Sequence, residues 1–182
     1  HEAARFKANP AQVEAPERAE AVEQEARVEA DDEVLALELR LEHLAGLGVV
    51  TGAGLEVDYR HLPRVVFTSP ALASVGMTDQ QARTAGIRCD SRVLPLAHVP
   101  RAIVNRDTRG FVKIVAEAET GRIVGITAVA KDAGELAAAG VYILSAGMTV
   151  DQVSTLWCPY LTMAEGLKIA AQSFRTDVSK LS

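Results

Sequence analysis

The pattern of apolar and polar positions divides the chain of 182 residues into two textures. Up to residue 33 it is rich in Ala and Glu with few large apolar side chains, which fits a solvated helix or a segment without fixed structure. In "DDEVLALELRLEHLAGLG" the pattern changes: Val34, Leu37, Leu41 and Leu44 recur at helical spacing, with Leu35 and Leu39 alongside. Asp31 or Asp32 can cap the start and Gly46 or Gly48 can end it, so an amphipathic helix is predicted over about 33–46. Its apolar face needs a partner, within this chain or in another copy. Residues 51–64, "TGAGLEVDYRHLPR", read as a linker.

From Val65 the periods are those of mixed helix and strand. "VVFT" is a short β-branched run closed by "SP". "TDQQARTAG" opens on Thr78 or Asp79 as a helix cap and closes on Gly86. "RCDSRVLPL" predicts a strand in which Pro95 marks an edge or a bulge. In "GFVKIVAEAETGRIVGITAVA" two runs rich in Val and Ile flank a glycine-containing turn, the clearest hairpin signal in the chain. "DAGELAAAGVYILSAG" predicts an apolar helix ending at Gly147, and "TVDQVSTLW" a shorter one capped by Thr149. "TMAEGLKIAAQSF" predicts a last helix, with Thr162 and Glu165 spaced as a capping box. The fold class expected is therefore α+β: an antiparallel sheet with helices packed on one face, preceded by a helical N-terminal extension.

Charge sharpens this division. Residues 1–60 hold 6 Lys and Arg against 14 Asp and Glu, while residues 61–182 hold 13 against 10. Neither part carries a basic stripe interleaved with aromatics, so no nucleic-acid partner is expected. No apolar run approaches the length of about 18 residues that a membrane span requires, and "HEAARFKANP" has no apolar signal-peptide core. Cys89 and Cys158 form no CxxC pair, and His1, His43, His61 and His98 have no metal-ligand spacing. A reducing, cytoplasmic setting is the expectation. No glycine-rich fingerprint for a dinucleotide and no P-loop occurs.

The densest chemistry lies in "CPYLTMAEG", Cys158 to Gly166. One reading is structural: Pro159 ends one element, Thr162 and Glu165 cap the next, Tyr160 and Leu161 pack, and Cys158 is a small buried residue. The other is a functional corner presenting a thiol, a phenol and a carboxylate. "LAHVPRA" with Arg101, Asn105, Arg106, Asp107 and Arg109 is the densest polar stretch. It reads either as a solvated loop with salt bridges or as a subunit contact, and His98 and His61 share that ambiguity.

Several segments carry a resemblance: "VDYRHLPRVVFTSPALASVGMT", "DSRVLPLAHVPRAIVNRDTRGFVKIV", "GRIVGITAVA" and "PYLTMAEGLKIAAQSF". Together they make residues 57–182 similar to the C-terminal dimerisation domain of the flavin-dependent pyridine nucleotide–disulfide oxidoreductases. "FTSPALASVGMT" resembles that superfamily as a whole. "VPRAIVNRDTRGF" and "PYLTMAEGLK" are specific to its mercury-reducing branch, the mercuric reductases. Residues 1–56 are an acidic helical extension and linker, of which residues 1–50 resemble no part of such enzymes.

The resemblance gives the corner a counterpart. Disulfide-reducing relatives carry His-Pro-Thr-x-x-Glu there, the histidine serving as acid–base and the glutamate orienting it. Aligned on Thr162 and Glu165, the histidine position is Tyr160. Reducing a metal ion needs no proton for a thiolate leaving group, and a phenol can hydrogen-bond or lightly coordinate a metal held by thiolates. The resemblance therefore makes Tyr160 and Glu165 candidate catalytic residues, and Tyr160 with Cys158 candidate metal-contacting residues. It also implies that Tyr160 acts across a homodimer interface, opposite the partner subunit's cysteine pair. The complete enzyme would use NADPH and FAD to reduce its substrate Hg(II) to Hg(0). The flavin and nicotinamide domains, and a vicinal cysteine pair near the end of such chains, are not within these residues. This chain alone is thus expected to bind neither cofactor and to show no turnover. Two alternatives stand beside this: the dimerisation domain of another flavoprotein disulfide reductase, or a stand-alone assembly or mercury-binding module.

Overall fold

A computed structural model describes residues 59–176. The helix predicted over 33–46, the rest of the N-terminal extension and the boundary at residue 57 lie outside the described residues. Among the described residues the chain forms a five-stranded antiparallel sheet with helices, the α+β class read from the sequence. The strands are β1 (Arg64–Val66), β2 (Ala71–Gly76), β3 (Cys89–Pro95), β4 (Phe111–Glu117) and β5 (Ile123–Ala130), in the order β1-β2-β5-β4-β3. The helices are α1 (Asp79–Thr84), α2 (Pro100–Val104), α3 (Ala133–Ser145), α4 (Val150–Thr155) and α5 (Glu165–Gln172).

The alternation of a pleated strand sorts side chains onto two faces. On one face Ala73 and Val75 of β2, Val112 and Ile114 of β4, and Ile126 and Ala128 of β5 join the apolar core. There α3 lies on β2 and β5, and α5 lies on β4 and β3. Along α3 the buried positions are Ala133, Leu136, Ala137, Gly140, Ile143 and Leu144, the stripe expected of a helix seated on a sheet. Leu94, Leu96, Val99, Val112, Ile114, Ile126 and Leu136 are the largest side chains shut off from solvent.

The opposite face of the sheet carries a charge. Lys113 alternates with Val112 and Ile114 and so projects from their other side, yet it is only 5% exposed. Its Nζ lies 2.5 Å from Asp79 Oδ2, on the first residue of α1. The connection from β2 to α1 crosses here over Gly125, where a Cβ would run into the backbone of Met77. Asp79 is held below its ordinary pKa of 3.8: burial pushes upward, but hydrogen bonds from Lys113 and Ser91 and the charge of Lys113 outweigh it. The α1 helix starts as predicted, with Thr78 and Gln81 closing a capping box.

The outer edge of β3 is also occupied. Ser91 N donates to Asp90 Oδ1 at 2.9 Å, and Arg92 Nη1 donates to Ser91 O at 2.8 Å. Arg92 also lies over the Phe174 ring, 5.2 Å from its centroid. The strand closes at Pro95, which fits the edge position predicted for that proline.

Two elements have no pattern that predicts them. β2, "ALASVG", carries little apolar bulk, and its place between β1 and β5 comes from non-local pairing. α2 spans only five residues and starts on Pro100, so no helical period can emerge.

Candidate functional site

Two helices tied to each other carry the corner read from the sequence. Thr149 and Gln152 form a capping box at the start of α4. Gln172 Nε2 donates to Ser154 O at 3.3 Å, and Arg175 Nη2 pairs with Asp151 Oδ2 at 2.5 Å, so α4 and the end of α5 are laced together. At the other end of α5, Gly166 faces Val112 and Val99, where an added Cβ would lie 3.4 Å from each. Met163, just before α5, is buried. Both ends of the connection are therefore anchored, and the residues between them bow outward.

This bow exposes aromatic surface. Trp157 is 100% exposed, Tyr160 is 77% exposed, and Leu156 is also largely open. The structural reading of Tyr160 and Leu161 as packing residues is not what is found for Tyr160. Cys158 is a half-buried free thiol, and Pro159 is exposed.

The backbone of the bow is held by two side chains. Thr162 Oγ1 donates to Pro159 O at 2.9 Å. Leu161 N donates to Glu165 Oε2 at 3.3 Å. Leu161 between them has φ of 62°, a left-handed conformation uncommon for a residue with a branched side chain. The capping box predicted from Thr162 and Glu165 does not form. The Thr162 hydroxyl is turned back to Pro159, the N-cap position of α5 is Ala164 without a side-chain cap, and Glu165 reaches a residue earlier than a box requires. The spacing of Thr and Glu suits a box, but the extra turn through Leu161 to Ala164 starts the helix two residues later than the pattern implies.

The other candidates lie elsewhere. Cys89 opens β3 as a half-buried thiol, with its Sγ 3.8 Å from Asp79 O. His61 Nδ1 and Ser145 Oγ are hydrogen-bonded at 3.2 Å, which fastens the entering segment to the end of α3. In the polar stretch, Arg109 donates through Nε and Nη2 to the two carboxylate oxygens of Asp107, each at 2.8 Å. The Arg109 guanidinium holds Asp107 down at about 2. That pair matches the solvated-loop reading, while the neighbouring Ile103 and Val104 are exposed apolar residues on α2.

Sequence reasoning missed Trp157 and the tie between Glu165 and Leu161. The only tryptophan of the chain, directly before "CPY", was the signal available for the first. The second had none, because it depends on the φ of Leu161. Among the described residues no group of three or more His, Cys, Asp or Glu gathers as a metal site. A metal ion meeting Tyr160 and Cys158 would need further ligands from outside these residues.

Residues 62–171 match the pyridine nucleotide-disulphide oxidoreductase dimerisation domain. Among curated relatives, a mercuric reductase of Streptomyces lividans is 54% identical over 131 residues, which is 72% of this chain and 28% of that protein. A mercuric reductase of Shigella flexneri is 47% identical over 133 residues, 73% of this chain and 24% of that protein. The chain thus spans about a quarter of the length of the curated relatives it matches. Among solved structures, the HOCl-induced flavoprotein disulfide reductase RclA from Escherichia coli aligns with a TM-score of 0.59 at 31% identity, covering 62% of this chain and 26% of that one. LpdA from Mycobacterium tuberculosis aligns with a TM-score of 0.64 at 25% identity, covering 72% and 29%.

Proposed function

Because the chain belongs to the pyridine nucleotide-disulphide oxidoreductase dimerisation-domain family, we propose that it is the subunit-pairing part of a flavoenzyme that reduces Hg(II) to Hg(0), and that Tyr160 faces the metal substrate across the subunit interface. The relatives named mercuric reductase support the choice of substrate. One observation carries the role of the tyrosine: Tyr160 is 77% exposed on a bow whose two ends are anchored in the core. An exposed, held phenol is prepared to meet something outside its own domain.

The chemistry suits that position. Hg(II) is soft and is gripped by thiolates, so its main ligands would be cysteines. A phenol adds a hydrogen bond or a weak oxygen contact without competing for the metal. It also lacks the imidazole basicity that thiol protonation requires, which separates this site from a disulfide-reducing one. Cys158, two residues away and half-buried, would be a supplementary soft contact.

The described residues do not fit FAD or NADPH. Their sheet is antiparallel throughout, and no glycine-rich turn leads a parallel strand into a helix N-terminus where a pyrophosphate could sit. In this reading the cofactors are held by other parts of the enzyme, and these residues contribute pairing and the phenol. Exposed Tyr142 on α3, together with Leu156 and Trp157, offers the apolar surface that pairing would cover.

The test is Tyr160→Phe in a full-length enzyme carrying this domain. Mercury turnover is expected to fall roughly tenfold in kcat, with flavin reduction by NADPH unchanged. Equal mercury kinetics in the two proteins would leave the bow as a helix entry and nothing more.

A further inference from the structure

Tyr160 is bracketed. The carbonyl of the residue before it, Pro159, accepts from Thr162 Oγ1 at 2.9 Å, and the N–H of the residue after it, Leu161, donates to Glu165 Oε2 at 3.3 Å. Both peptide groups flanking Tyr160 are thus pinned, and with them the direction of its Cα–Cβ bond. The second of these bonds restrains the less comfortable conformation, since Leu161 sits at φ of 62°. Nothing in a leucine favours that region, as a glycine or asparagine would.

Glu165 has two other roles open to it, and the geometry favours neither. A capping-box glutamate would take the N–H of Thr162, but the bond goes to Leu161, outside the helix. A carboxylate in the first turn also complements the helix dipole, but that role needs only charge, not reach. From these contacts we infer that Glu165 is a positioning residue for Tyr160: its carboxylate holds the left-handed turn at Leu161 that presents the phenol. Its importance for mercury chemistry rests on the function proposed above, whereas the tie itself does not.

Conservative substitutions separate reach from charge. Glu165→Gln keeps the length and an accepting oxygen but loses the charge. Glu165→Asp keeps the charge at the helix start but is one methylene short of Leu161. Amide hydrogen exchange of Leu161, measured in the 182-residue chain, is the direct readout, with the amides of Ile114 and Ile126 as controls for global stability. Positioning by reach predicts exchange about tenfold faster in Glu165→Asp and close to native in Glu165→Gln, with the controls unmoved in both. The reverse pattern, Gln fast and Asp native, would assign Glu165 to the helix dipole and overturn the inference. Unchanged exchange in both would overturn it as well. In the full-length enzyme, Glu165→Asp is expected to lower mercury turnover, and this loss should vanish in the Tyr160→Phe background, because both changes act through one phenol. Additive losses would show that Glu165 does not act through Tyr160. If Tyr160→Phe alone has no effect, the proposed function fails while the exchange pattern still decides the tie.

Discussion

The sheet face under α1 and the bow between α4 and α5 invert the usual placement of side chains. The first buries a lysine; the second exposes a tryptophan. Lys113 is enclosed because Asp79 stands 2.5 Å away with Ser91 beside it, so the charge leaves water only in company. Trp157 has no such compensation within the described residues, being 100% exposed. A buried ion pair is an internal matter, complete once its partner is present. Exposed aromatic residues on an anchored loop are what the pairing proposed above would cover. The two regions should therefore respond to different experiments: the first to those that read folding, the second to those that read association and turnover.

The largest effect is expected from Asp79→Asn. It removes the carboxylate that neutralises Lys113 in a nearly closed site, and should destabilise the chain by about 3 kcal/mol. In thermal unfolding that amounts to a fall in Tm of about 10 °C. A change below about 2 °C would mean that Lys113 reaches water more easily than its burial implies. Next, Trp157→Ala should leave Tm within about 2 °C while weakening self-association about tenfold or more in sedimentation. A large loss of Tm with unchanged association would place Trp157 in the folding of the bow and erase the contrast. Acid titration sharpens the first half. Folded Asp79 lies below its ordinary 3.8, so its contribution is in place above that pH and is lost as pH falls through the lowered folded value. The native chain should accordingly lose stability more steeply than Asp79→Asn below about pH 4. The smallest effect belongs to Asp107→Asn. Its pair with Arg109 holds Asp107 down at about 2, yet Arg109 stands in solvent and Asp107 is only half-buried, and Tm should move by no more than about 1 °C. A large shift there would show that short ion-pair distance, not burial, governs this domain.

Legibility in the sequence followed the range of the interactions involved. The β4–β5 hairpin, α1 with its Thr78 cap, α4 with its Thr149 cap and α3 ending before Gly147 were all visible, because each is set by residues within a few positions of one another. β2 was not, since its neighbours β1 and β5 supply the reason it is a strand. At the corner, the resemblance of "PYLTMAEG" pointed to the right family. The arrangement of those residues was a different matter. Whether Glu165 meets Thr162 or Leu161 turns on one backbone angle, and a spacing of Thr and Glu carries no information about it. Trp157 was overlooked because an isolated tryptophan more often fills a core than leaves it.

The side chains along β3 bear on how copies of this chain can join. An open strand edge invites another strand, and repeated addition of that kind gives fibres. Here the edge is already answered from within: the Ser91 amide is taken by Asp90, its carbonyl by Arg92, and the strand stops at a residue without an N–H. At the other border β1 offers only three residues, too short a template for stable pairing. Around Ser91 and Pro95, and along the short β1, the described edges give a second strand little to pair with, so the pairing proposed above would fall to helices and loops, a route that can close on itself.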